Sequence, residues 1–147
     1  MQTLWNESNR AALIGRLNRL SPDAPARWGR MNAPKMVTHV TDALRAALGE
    51  LPVTTFAGPL QHWPLNALVI YVLPWPKGAP TAPELMARRP EQWQTEIATL
   101  TAAIGRFAAR SPEDAWVPHA AFGSIDGKAW GRLQYRHLDH HLRQFGA

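Results

Sequence analysis

The chain contains no cysteine. That absence removes disulfides, thiolate metal ligands and a cysteine nucleophile together, so any sulfur chemistry needs a thiol supplied from outside. Long apolar runs are missing too. The most hydrophobic stretch, Leu65 to Leu73, is about half of the ~20 residues that a membrane-spanning helix needs, and it reads as a buried core segment. β-Branched residues are sparse, and no alternating apolar runs are bounded by hairpin turns, which argues against a sheet. Met1 to Arg10 carries Glu7 and polar side chains where a signal peptide requires an apolar stretch; a cytoplasmic protein without membrane contacts is therefore expected. No internal repeat is visible.

What is present fits one domain spanning residues 1–147, with 46% hydrophobic content and seven tryptophans. That length suffices for one hydrophobic core and is short for two. The net charge of +5 comes from scattered basic residues, and only Arg88 and Arg89 are adjacent. Nucleic acid rewards clustered cations, so this dispersion reads as a solvated arginine-rich surface rather than a nucleic-acid interface.

Hydrophobic spacing marks five helical segments. The first runs from about Leu4 to Leu20 and is stopped by Ser21-Pro22-Asp23-Ala24-Pro25, since proline lacks the interior N–H. The second is capped by Asn32, with Pro34 in its first turn and Gly49 at its end, each residue where helix ends favour it. Pro59 to Leu73 reads as a short or kinked helix, with a buried strand as the weaker option. The proline-dense stretch Pro74–Pro83 reads as a loop without regular hydrogen bonding. A fourth helix is expected over about Pro90–Arg110 and a fifth over about Asp126–Phe145. The fold class is all-α, a helical bundle with a long connection between the second and fourth helices.

Chemistry concentrates in the fifth segment, where His137 and His141 stand four apart beside His140. On a helix, imidazoles four apart project from one face and can reach a single ion. A further ligand must come from elsewhere. His39 lies between Met36 and Ala43 on the core-facing stripe of the second helix, where an unpartnered imidazole is costly. Together these make a three-histidine metal site of His39, His137 and His141. Asp42, three residues after His39, is either an imidazole acceptor, shell member or base, or else an ion pair with Arg45. His140 reads as a catalytic or entrance residue. His119 and Phe122, in the loop leading to the last helix, are candidates for a substrate pocket. Arg136, Arg143 and Lys77 either bind a carboxylate-bearing cosubstrate or are surface charges. His62 has no partner and reads as a surface residue.

His39, the His137-x-x-His140-His141 cluster and the closing Leu142-Arg143-Gln144-Phe145-Gly146 resemble the DinB/YfiT-like metalloenzyme superfamily. More narrowly, the chain resembles a branch of unknown function. The shared blocks are Trp28-Gly29-x-Met31, Met36-x-x-His39-x-x-Asp42-x-Leu44-Arg45, Leu73-Pro74-Trp75-Pro76-Lys77-Gly78 and His119-x-x-Phe122-Gly123, spread over almost the whole chain. The resemblance implies a four-helix bundle with a long crossover connection and an additional short helix. It also implies a divalent metal, zinc or nickel first, on His39, His137 and His141. Relatives of this kind include thiol S-transferases, a mycothiol-dependent isomerase and metal-dependent hydrolases. One departure is Gly127, where the branch favours an acidic residue, so that Ser124 or Asp126 must cap the last helix without a capping box.

Three protein ligands leave an open coordination position, as in catalytic rather than closed structural sites. The leading expectation is a metal-dependent transferase using a small thiol cosubstrate on an electrophilic substrate, or a hydrolase. The alternative is a non-catalytic metal-binding bundle with a structural or stress-response interaction role. Nucleic-acid binding ranks last, and a homodimer is left open.

Overall fold

The computed structural model describes residues 1–147. It contains five α-helices and no strand: α1 (Glu7–Asn18), α2 (Ala33–Ala47), α3 (Leu65–Tyr71), α4 (Trp93–Ala108) and α5 (Gly127–Gln144). Short 3-10 turns at Pro59–Gln61 and Pro83–Met86 interrupt the α2–α4 connection. No helix is long and apolar enough to cross a membrane.

Side-chain caps set three of the helix starts. Asn6 accepts from the Asn9 amide, Asn32 from Lys35 and Asp126 from Ala129, at 3.0, 2.9 and 2.8 Å. Each satisfies a first-turn N–H that has no intrahelical partner. The Asn6 cap shortens the first helix relative to the expected Leu4 start. Leu4 is nevertheless fully buried, in the turn closed by the Asn6 amide on the Thr3 carbonyl just before the helix. The fourth helix begins three residues later than expected because Gln92 is extended, with φ −64° and ψ 138°.

α2 packs against α4 and α5, and α1 packs against the same two helices. Leu13 and Leu17 of α1, Met36, Val40 and Leu44 of α2, Leu100, Ile104 and Phe107 of α4, and Leu133, Leu138 and Leu142 of α5 meet in one core. Burial of such side chains, each contributing about 1.5–3 kcal/mol, is the main stabilising term.

Close approach explains the Gly127 departure. A Cβ there would collide with the Pro112 carbonyl oxygen, and one at Gly131 with Trp5 Nε1. Pro112 and Trp116 press on α5 at Gly127, and Trp5 at Gly131. Trp5 donates to the Gly127 carbonyl at 2.8 Å and stacks on Phe107 with ring centroids 4.7 Å apart.

The apolar run Leu65–Leu73 is not the buried core segment that its composition suggested. Only Asn66 and Ile70 of α3 are buried, whereas Leu65, Leu68, Val72 and Leu73 are exposed. A seven-residue helix lying on the bundle can turn only one side inward. Hydrophobicity predicts burial only on average. The proline-dense stretch is irregular as expected up to Ala82, and the second 3-10 turn begins at its last residue, Pro83, with the Leu85 amide donating to the Ala82 carbonyl at 3.0 Å.

Candidate metal centre and its cleft

α2 and α5 bring three imidazoles together. His137 Nε2 lies 3.0 Å from His39 Nε2 and 3.1 Å from His141 Nε2. One nitrogen from each of the three lies within 4.8 Å of the others. His39 and His141 are buried, and His137 is partly so.

The opposite ring nitrogens determine what these three atoms present. His39 Nδ1 lies 3.2 Å from the Leu85 carbonyl oxygen, which can only accept. His141 Nδ1 lies 2.7 Å from Gln144 Oε1, again an acceptor. Both Nδ1 atoms therefore carry the proton and both Nε2 atoms turn a lone pair toward His137. A neutral His137 has at most one proton to offer at Nε2, set between two lone pairs. Charging the rings is opposed by their surroundings. Burial and then the neighbouring histidines hold His137 well below the usual histidine range. Burial, followed by His39, pushes His141 down to about 3, and burial also lowers His39.

Convergent neutral nitrogen lone pairs fit a cation. Metal–nitrogen bonds of about 2.0–2.1 Å place neighbouring ligand nitrogens roughly 3 Å apart. A group of this kind can hold a divalent ion, with the Leu85 carbonyl and the Gln144 amide orienting two of the rings from outside.

The Leu85 carbonyl is itself pinned. Lys35 Nζ donates to the Met86 and Arg88 carbonyls at 2.6 Å each. Arg88 forms a two-pronged contact with buried Glu96 at 2.8 and 3.0 Å and lies 3.5 Å from Asp42. Asp42 is thus not brought to the histidines. Its buried carboxylate faces Arg45 at 3.0 Å and Arg88, and its charge offsets part of the lowering that burial imposes on His39, ranking behind burial and the Leu85 carbonyl. Sequence reasoning missed Leu85 because backbone carbonyls carry no sequence signal. It also missed Gln144, although its position three residues after His141 places it on the same helix face.

The trio borders a cleft of about 810 Å³ lined by Trp28, Trp75, Phe122, Trp130 and Leu133 among others. His140 stands on its wall, with Trp28 and Trp75 ring centroids at 5.5 and 6.2 Å. Burial lowers its pKa. His119 and Phe122 both line the cleft. His119 Nδ1 accepts from the Ala121 and Phe122 amides at 3.0 and 3.1 Å, leaving its proton on Nε2.

Arg136 does not line the cleft. Its guanidinium donates to the carbonyls of Val69, Ile70 and Leu73, closing the C-terminal end of α3 where carbonyls lack helical partners. The guanidinium also lies over the Trp75 ring of the cleft wall at 5.3 Å, so it backs the cleft while its donors go to carbonyls. Lys77 stacks over Trp28 at 4.7 Å, and Arg143 pairs with Asp139 at 2.9 Å. His62 is exposed.

His119 gives the metal-free fold an acid sensitivity. Its ring packs between Phe122 and Trp130, and burial pushes its pKa from 6.5 down to about 4. The unfolded chain then binds the extra proton between those values. The contribution is complete above about 6.5 and is lost as pH falls toward 4. Urea titrations at pH 7 and pH 5 are expected to show a smaller acid loss for His119→Gln than for the unsubstituted chain. Equal losses would remove His119 as a source.

The fold and site together define a helical bundle with a buried three-histidine group. Residues 14–147 match the family described as "Protein of unknown function (DUF1569)", and the chain belongs to that family. No curated protein and no solved structure matches it.

Proposed function

We propose that the protein is a divalent-metal-dependent enzyme of the DinB/YfiT-like kind, with His39, His137 and His141 as ligands. Its reaction is transfer to or from a small thiol cosubstrate, or hydrolysis. The observation that carries this reading is the convergence of three imidazole nitrogens, two of them on buried rings with fixed tautomers, on the edge of a cleft of small-molecule size. A fourth protein ligand would favour a structural site; no such ligand belongs to the group, and the cleft offers access for substrate.

When bound, such an ion supplies Lewis acidity and lowers the pKa of a thiol or water beside it. The chain's own contribution is to fix the three rings, exclude water with Trp28, Trp75 and Trp130, and hold His140 on the wall. His140 makes no protein hydrogen bond, so a ring nitrogen is free to take a proton from an entering thiol or water.

Protein purified without a histidine tag and supplemented with zinc, nickel or manganese is expected to retain about one ion per chain after dialysis. Loaded protein screened against thiols and electrophiles is then expected to consume thiol or release hydrolysis product, with chelation abolishing the reaction. Retention below about a tenth of an equivalent would overturn the metal reading. Full metal with no turnover across the screen would overturn the enzymatic one.

A further inference from the structure

The loop before α5 holds a histidine whose ring chemistry is set by the backbone. His119 and Gly123 face each other in a two-bond bridge, at 2.8 and 3.0 Å. Inside that turn the amides of Ala121 and Phe122 both donate to His119 Nδ1, at 3.0 and 3.1 Å. A ring nitrogen that accepts carries no proton, so the proton sits on Nε2. Charging the ring would put a second proton on the nitrogen that the two amides already occupy. Burial opposes the charge as well and pushes the pKa down to about 4. Near neutral pH the ring is therefore an uncharged group with one N–H to give.

That N–H is not used within the protein. Fully enclosed polar atoms without a partner occur elsewhere in the fold, at Glu84 Oε2 and Gln134 Oε1 for example. His119 Nε2 has no partner either but is not enclosed in this way, so it reaches open space. The ring lies against Phe122 and Trp130, with centroids 4.8 and 5.1 Å away, and all three residues line the cleft. Two indole N–H groups of the same wall are already spent: those of Trp75 and Trp130 go to the Val69 and Val117 carbonyls at 3.2 and 3.1 Å. His119 also borders a smaller recess with Thr55, Gln61, His62 and Ser124, whose polar walls suit no apolar body. Trp130 and His137 are two turns apart on one face of α5, about 10 Å along the axis. A group held at His119 and a group beside the histidine trio thus belong to opposite ends of one small molecule.

We infer that His119 is a substrate-binding residue whose Nε2–H holds a carbonyl oxygen at the end of the cleft away from the histidine trio, so that the substrate class is an apolar ester, amide or ketone. The assignment deepens the proposed function and rests on it for its catalytic meaning, but the binding itself does not. The Ala121 and Phe122 amides fix the tautomer that donates. The apolar body of the substrate extends from His119 past Trp130 toward Trp28, Trp75 and the trio.

Histidine labelled with nitrogen-15 supplies one test on the unsubstituted protein by magnetic resonance. The His119 ring is expected to show the Nε2-protonated tautomer. Adding 2-acetylnaphthalene is expected to move its Nε2–H proton downfield. The matched probe 2-isopropenylnaphthalene, which has a methylene in place of the carbonyl oxygen, is expected not to. Equilibrium dialysis of both probes against two variants supplies the second test. His119→Asn keeps an acceptor for the two amides but has no atom at the Nε2 position. It is expected to lower the affinity for 2-acetylnaphthalene relative to the matched probe about tenfold. His119→Gln places an N–H near Nε2 and is expected to keep most of that ratio. An Nδ1-protonated ring, the same resonance response to both probes, no binding of 2-acetylnaphthalene, or an unchanged ratio in His119→Asn would each overturn the inference. The resonance test stands even where a variant fails to fold. Both tests are run with chelator and with zinc, and ion content is measured on the same samples. A His119 response without retained zinc sinks the metal centre alone, and retained zinc without the response sinks the carbonyl site alone.

Discussion

Replacing His137 with alanine is expected to abolish measurable metal retention while leaving the helical bundle folded. His137 Nε2 is the atom that both other rings approach, at 3.0 and 3.1 Å. Removing it leaves His39 and His141 as a pair with no third nitrogen. Loss of an outer orienting partner, such as Gln144 behind His141, typically costs ~10–100-fold in metal affinity, and loss of a direct ligand exceeds that. The fold itself tolerates the change, because the variant removes a partly buried imidazole whose contacts are crowded in the metal-free state. Two measurements check this: ion content after dialysis, and melting temperature with and without added zinc. With zinc at a hundredfold excess over its dissociation constant, the unsubstituted protein gains about 2.7 kcal/mol by mass action. The variant gains none. Retention of zinc at unchanged affinity would remove His137 from the centre.

Phe107→Ala is expected to do the reverse, destabilising the fold by about 3–5 kcal/mol without altering ion content at low temperature. Phe107 is fully buried, stacks on Trp5 at 4.7 Å and lies 5.0 Å from Trp116. Its removal opens a cavity that neither indole can fill, since Trp5 is fixed by the Gly127 carbonyl and Trp116 by the Ser111 carbonyl. For a chain of this size each kcal/mol corresponds to roughly 2–4 °C, so the melting temperature falls by about 10 °C. Phe107 does not line the cleft. A drop of only a degree or two would show that the aromatic cluster relaxes around the gap.

Much of the fold was legible in the sequence because helices leave periodic traces. The caps Asn32 and Asp126, the apolar stripes of α2 and α5, and the spacing of His137 and His141 are local patterns. His39 was legible because a histidine on an apolar stripe demands a partner. Features that depend on distant chain were not legible. The Leu85 carbonyl lies 46 residues from His39, on a turn inside a proline-rich segment. Asp42 had two local readings, and the ion pair with Arg45 is the one present, reinforced by Arg88 from far along the chain. Arg136 spends its donors on the free carbonyls where α3 ends, behind Trp75 of the cleft wall. The run at Leu65–Leu73 misled because apolar content alone does not say which side of a short helix faces in.

The distribution of the three histidines along the chain has a further consequence. His137 and His141 are neighbours on any helical segment, whereas His39 reaches His137 across 98 residues. An ion held by all three would tie α2 to α5 as a removable cross-link, in a chain that has no disulfide to serve that purpose. Closing a loop of that length costs chain entropy that the folded bundle has already spent. An isolated α5 peptide would therefore grip metal with two nitrogens only. The ratio of its affinity to that of the whole protein would measure how well the bundle presents His39, turning a binding constant into a gauge of folding.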